Sequence, residues 1–138
     1  METPKIIECS RDAMQGIRSF IPTTEKVNSL QFLLQVGFHS LDFGSFVSSR
    51  SVPQMRDTAD VLNQLDLSDT KTKLLAIVAN LRGAETALKF EQIQYIGFPF
   101  SISENFQMRN THKTILESQN VLEKIKELTD KLNKTCLL

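Results

Sequence analysis

The chain has 138 residues, enough for one ordinary domain, and its 41% hydrophobic and 23% charged residues suit a folded rather than a disordered protein. The 16 basic and 16 acidic residues balance, which argues against a nucleic-acid-binding surface, and no apolar run reaches the roughly 18 residues that suggest a membrane span. The first residues carry no signal-peptide or transit pattern, Cys9 and Cys136 suggest no disulfide framework, and Cys136 stands third from the end rather than at a prenylation position, so a cytoplasmic protein is expected.

Lys5 to Cys9 reads as a first strand, followed by a polar stretch from Ser10 to Phe20. Thr23 or Thr24 can cap a helix in which Val27, Leu30, Leu33, Leu34 and Val36 recur at helical spacing, and Gly37 closes it. Leu41-Asp42-Phe43 opens a second strand, and Ser45 to Gln54 reads as a long loop. A helix is expected from about Asp57 to Leu65, with Ala59, Val61, Leu62 and Leu65 on its apolar face. The continuous apolar run Leu74 to Ala79 suits a strand buried on both faces of a parallel sheet. Gly83 to Phe90 reads as a short helix, Ile93 to Phe100 as a fourth strand, and Ser103 to Lys113 as a polar stretch. A last long helix carries Ile115, Leu116, Val121, Leu122, Ile125, Leu128 and Leu132 on its apolar side. Its charged residues, with Lys134 beyond them, read as a solvated face.

Strand and helix thus alternate four times, which predicts an α/β fold with a parallel sheet. Two architectures fit that alternation: a four-stranded doubly wound sheet, or about four units of an eight-stranded TIM barrel. In both, functional residues gather where the strands end. Those ends are polar here: Arg11-Asp12, Asp42 to Ser48, Asn80 to Arg82, and Ser101 to Asn110. A carboxylate such as Asp12 can bind a hard divalent cation, and a guanidinium such as Arg11 can neutralise charge developing on a substrate oxygen. The same two residues could equally form a loop salt bridge. Asp42 should lie beside them, either in a catalytic cluster or as the carboxylate that holds Arg11. His39 precedes the second strand and should sit at the opposite, stability-bearing end; His112 has no second histidine at ligand spacing.

Lys5 to Gln15, with its R-D-x-x-Q pattern, resembles the opening strand of the hydroxymethylglutaryl-CoA lyase family. Ser45-Phe46-Val47-Ser48 with Val52-Pro53-Gln54-Met55 is similar to that family's S-F-V-S…V-P-Q-M loop. Asn80-Leu81-Arg82-Gly83 resembles its N-L-[KR]-G turn, and Ser103-Glu104 with Asn110 its S-E…N stretch. The resemblance runs from Lys5 to about Lys134 and implies that residues 1–138 are the N-terminal portion of a TIM-barrel domain of the pyruvate-carboxyltransferase and lyase type. It further implies a metal-dependent retro-Claisen cleavage of hydroxymethylglutaryl-CoA to acetyl-CoA and acetoacetate. Asp12 would ligate Mg²⁺ or Mn²⁺, Arg11 would stabilise the enolate oxygen, and Gln15 would lie beside them. Ser45, Ser48, Asn80, Arg82 and Asn110 would line the acyl-CoA site. Asp42 stands where the family usually has glutamate, which withdraws the charge from Arg11 by one methylene.

The family's H-x-H metal ligands and catalytic cysteine belong to later strands, and this chain stops at Leu138, where a fifth strand should begin. Metal binding by the chain alone is therefore expected to be weak or absent, and the chain itself inactive. The alternative is a non-catalytic half-barrel that pairs with itself, or with a full-length paralogue, through open barrel edges.

Overall fold

The computed structural model describes residues 3–138. Five parallel strands form one sheet in the order β1-β2-β3-β4-β5: Ile7–Glu8, Ser40–Ser45, Lys73–Ile77, Ile93–Gly97 and Thr135–Leu137. Strict sequential order is that of a barrel arc. It excludes the doubly wound alternative, in which the first strand lies between two others. The four expected strand–helix units are present, and a fifth strand begins where the sequence placed it: Thr135–Leu137 pairs in register with Tyr95–Gly97.

Among the described residues six α-helices accompany the strands, α1 Ser10–Gln15, α2 Thr23–Val36, α3 Thr58–Gln64, α4 Leu81–Ala87, α5 Glu104–Thr111 and α6 Ile115–Lys131, with one 3₁₀ turn at Pro53–Met55. One face of the sheet, through Leu41, Phe43, Leu74, Ala76, Val78 and Ile96, packs on Leu30, Leu34, Val61, Leu62, Ala84 and Ile125 of the helices. Gly37 ends α2 in the left-handed conformation (φ 87°), as expected of a glycine just past a helix. On the other face Leu75, Ile77, Ala79 and Gly97 line an open cavity of about 810 Å³. Ile7 and Leu137, on the two outermost strands, border the same cavity. No helix among the described residues is long and apolar enough to cross a membrane.

Two stretches read as merely polar are helical. Neither has an apolar period to betray it: α1 buries none of its residues, and α5 buries only Gln107. That glutamine is 1% exposed and replaces apolar packing with hydrogen bonds. Its Oε1 accepts from the Ser101 backbone N–H (2.8 Å), and its Nε2 donates to Thr111 Oγ1 (2.9 Å) and Ser118 Oγ (2.6 Å). Strand edges also shift. The first strand contracts to Ile7–Glu8 because Cys9 already caps α1, and the fourth ends at Gly97 rather than Phe100. The short helix begins at Leu81, two residues before expectation, because Asn80 caps it by accepting from the Gly83 N–H (2.8 Å). Lys134 is not part of a solvated face. Its Nζ donates to the Phe90 carbonyl (2.7 Å), and burial lowers its pKa.

Candidate functional site

β1 is so short that the chain turns directly into α1 over the middle of β2. This brings Arg11 onto Asp42, which lies third in a six-residue strand rather than at its end. Asp42 is 2% exposed. Arg11 Nε donates to its two oxygens at 3.2 and 3.1 Å, and Nη2 donates to Oδ2 at 2.8 Å. The aspartate thus makes a forked contact with the guanidinium despite its shorter side chain. Arg11 Nη1 reaches two further acceptors, Gln15 Oε1 (2.7 Å) and Asp12 Oδ1 (3.3 Å). The sequence-predicted cluster of Arg11, Asp12, Gln15 and Asp42 is thus assembled around one side chain. His39 lies at the other end, where its backbone joins β1 and β3 and its ring packs on Tyr95.

Burial pushes the Asp42 carboxyl above its ordinary value, and the Arg11 bonds and charge, pulling the other way, do not fully offset it. Burial also opposes charge on Arg11, but the hydrogen bonds and charge of Asp42 outweigh it and hold Arg11 above the usual arginine value. The forked geometry, in which Nε and Nη2 each donate to a different carboxylate oxygen, is that of an ionised pair. A guanidinium has five N–H donors. The contacts with Asp42, Asp12 and Gln15 engage four of them, leaving one Nη2 hydrogen uncommitted.

The remaining candidates divide between two cavities. Asn110 joins Arg11, Asp12 and Gln15 on the wall of the large concave cavity, although its amide also donates to the Phe106 carbonyl (2.9 Å). Ser48, Asn80 and Arg82 share a separate cavity of about 410 Å³ with Phe46, Val47 and Thr86. Two sequence motifs meet here for a steric reason. A Cβ at Gly83 would fall 2.5 Å from the Phe46 carbonyl oxygen, so only glycine lets the start of α4 approach the loop after β2. Ser45 lines neither cavity. It is 4% exposed, and its hydroxyl finds no partner. In the S-E…N stretch, Ser103 caps α5 and Glu104 accepts from the Ile115 N–H (3.1 Å). His112 takes the left-handed conformation that ends α5.

The metal expectation meets a limit. The Asp12 side chain is 64% exposed at the cavity rim, and no group of three or more His, Cys, Asp or Glu among the described residues could hold an ion. These residues do not fit a metal by themselves.

Sequence reasoning missed a buried polar knot behind the site. Lys26 Nζ pairs with Asp57 Oδ1 (2.6 Å) and donates to the Gln54 carbonyl, while Thr23 Oγ1 donates to Asp57 Oδ2 (2.7 Å). Lys26 and Arg56 both lie over the Phe20 ring, at 4.2 and 3.8 Å from its centre. Gln54 was legible as part of a motif, but nothing in the sequence set its role apart from that of its neighbours.

No family model matches the chain. It is 34% identical over 115 residues to "Hydroxymethylglutaryl-CoA lyase, mitochondrial" of Arabidopsis thaliana, covering 83% of this chain and 24% of the relative. It is 32% identical over 125 residues to "3-hydroxy-3-methylglutaryl-CoA lyase, cytoplasmic" of Rattus norvegicus, covering 90% of this chain and 36% of the relative. The crystal structure of the HMG-CoA lyase from Brucella melitensis superposes with a TM-score of 0.90 and 27% identity, over 99% of this chain and 48% of that one. The curated relatives are hydroxymethylglutaryl-CoA lyases, and the chain has the partial TIM-barrel fold of those enzymes over the part it spans. That part is 24% and 36% of the two curated relatives' lengths.

Proposed function

We propose that residues 1–138 are one piece of a lyase barrel and carry the arginine side of a site that cleaves hydroxymethylglutaryl-CoA to acetyl-CoA and acetoacetate. The observation that carries this reading is Arg11, locked on Asp42 at the rim of the concave cavity with one Nη2 hydrogen left over. Breaking the carbon–carbon bond of an acyl-CoA leaves an enolate, and a fixed guanidinium stabilises that negative charge without reorganising as it forms. Asp42 orients Arg11, and Gln15 steadies its Nη1. Ser48, Asn80 and Arg82 offer polar groups for the acyl-CoA, with Asn110 on the cavity wall, whereas the buried Ser45 hydroxyl does not reach either cavity. A divalent ion, Mg²⁺ or Mn²⁺, belongs to this reading only with ligands from beyond these residues, Asp12 being the carboxylate exposed enough to join them. The cytoplasmic rat relative supports a cytoplasmic setting, and the mitochondrial Arabidopsis relative marks the competing one. The test is hydroxymethylglutaryl-CoA cleavage by a barrel completed with a relative's remaining strands. In it, Arg11→Met should lower kcat by about 10²–10³, the usual effect of losing one such stabiliser.

One observation favours a second reading, a half-barrel that pairs with itself or a full-length paralogue. Ile7, Phe106 and Leu138 on the concave cavity are 41%, 59% and 79% exposed, and β1 and β5 each have a free edge among the described residues. Open edges and apolar surface favour association. Sedimentation of the purified chain should then give a dimer or larger species; a monomer at all concentrations would remove self-pairing.

A further inference from the structure

We infer that Gln54 is a positioning residue for α1, and through it for Arg11. The helix has six residues and buries none of them, so packing does not fix where it lies. It needs ties at both ends. At its start, Arg11 grips the Asp42 carboxylate and Ser10 Oγ donates to the Asp42 carbonyl (3.3 Å).

At its exit, the tie is Gln54, which is 4% exposed and does not line the concave cavity. Its Nε2 spends both hydrogens on the chain leaving α1, donating to the carbonyls of Ile17 (3.0 Å) and Ser19 (2.9 Å). Its Oε1 accepts from the Ile21 N–H (2.8 Å). One side chain thus holds three backbone groups within five residues. Gln54 is itself anchored, because its carbonyl accepts from Lys26, whose partner Asp57 stands at the start of α3. The loop after β2 therefore grips the loop after β1, and α1 is strung between that grip and Asp42. Freed at its exit, α1 would pivot on the Arg11–Asp42 contact and loosen it.

The catalytic weight of Gln54 rests on the function proposed above, but its test needs no catalysis. In the uniformly ¹⁵N-labelled chain, solvent exchange of the Arg11 Nε–H reports how firmly Arg11 is held. Exchange of the Leu75 and Ala76 amides within β3 reports global stability. Gln54→Leu removes all three side-chain bonds. It should speed Arg11 exchange about tenfold, the scale of one net buried hydrogen bond, and by more than it speeds the β3 amides. Gln54→Glu keeps the shape and the Ile21 bond but loses both donors, and it should also speed Arg11 exchange. It decides the matter by the same criterion if the leucine variant does not fold. Unchanged Arg11 exchange, or exchange that quickens only in step with β3, would overturn the inference. A lyase assay that failed with Arg11 intact would remove the proposed function and leave this result standing.

Discussion

At the scale of single residues, Arg11 and Asp42 show how a buried charge is made tolerable. Asp42 is almost fully enclosed, and removing a carboxylate from water is costly unless a hydrogen-bonded partner is supplied. Arg11 supplies it with a fork of donors. Asp42→Asn keeps the shape but leaves the guanidinium facing an amide. The variant should lose about 3 kcal/mol of stability, the lower end of the range for breaking a buried pair, because Asp12 and Gln15 still accept from Nη1. Urea denaturation measures it, and a loss below about 0.5 kcal/mol would place the pair among inconsequential surface bridges. The pair was legible as two charged residues on neighbouring strand ends. What the sequence did not reveal was the short β1 that lets α1 fold over mid-strand and sets Arg11 on Asp42 there.

At the scale of elements, what was legible followed from how each element is held. The apolar period of α2 and the continuous run of β3 announced themselves because those elements are fixed by apolar packing, against Leu30, Leu34, Leu74 and Ala76. α5 was hidden because its one buried residue is Gln107, and α1 because it buries nothing. Polar anchoring leaves no period to read. α6 shows a third case, in which a local cap sets the start. Thr114 accepts from the Glu117 N–H, and Glu117 accepts from the Thr114 N–H (2.7 Å). The backbone and hydroxyl bonds from Thr114 hold the Glu117 carboxyl below its ordinary value of 4.5. A carboxylate with a depressed folded-state pKa contributes stability that is full above the unfolded value and is lost as pH falls through the folded one. Glu117→Gln should therefore flatten the acid limb of stability below pH 4.5. Urea midpoints taken across that limb check it, and parallel curves for the two proteins would mean that the cap contributes nothing.

At the scale of the whole molecule, five parallel strands in strict order make an arc whose helix-covered face is packed and whose other face opens on a cavity of about 810 Å³. Arg11, Asp12 and Gln15 stand on that open side, facing the space that the later strands of a complete barrel would enclose. The concentration of polar residues at the strand ends was readable from sequence. Their division between two cavities was not, because it depends on how Gly83 lets α4 close against Phe46.

The most direct test of the account is hydroxymethylglutaryl-CoA cleavage, with Mg²⁺ or Mn²⁺, by this chain alone and by the chain completed with the remaining strands of a relative. No turnover is expected from the chain alone, where Asp12 is the single carboxylate placed to meet an ion. Turnover is expected from the completed barrel, reduced about 10²–10³-fold in kcat by Arg11→Met. Metal-dependent cleavage by the 138-residue chain on its own, or a completed barrel that keeps its kcat without Arg11, would contradict it.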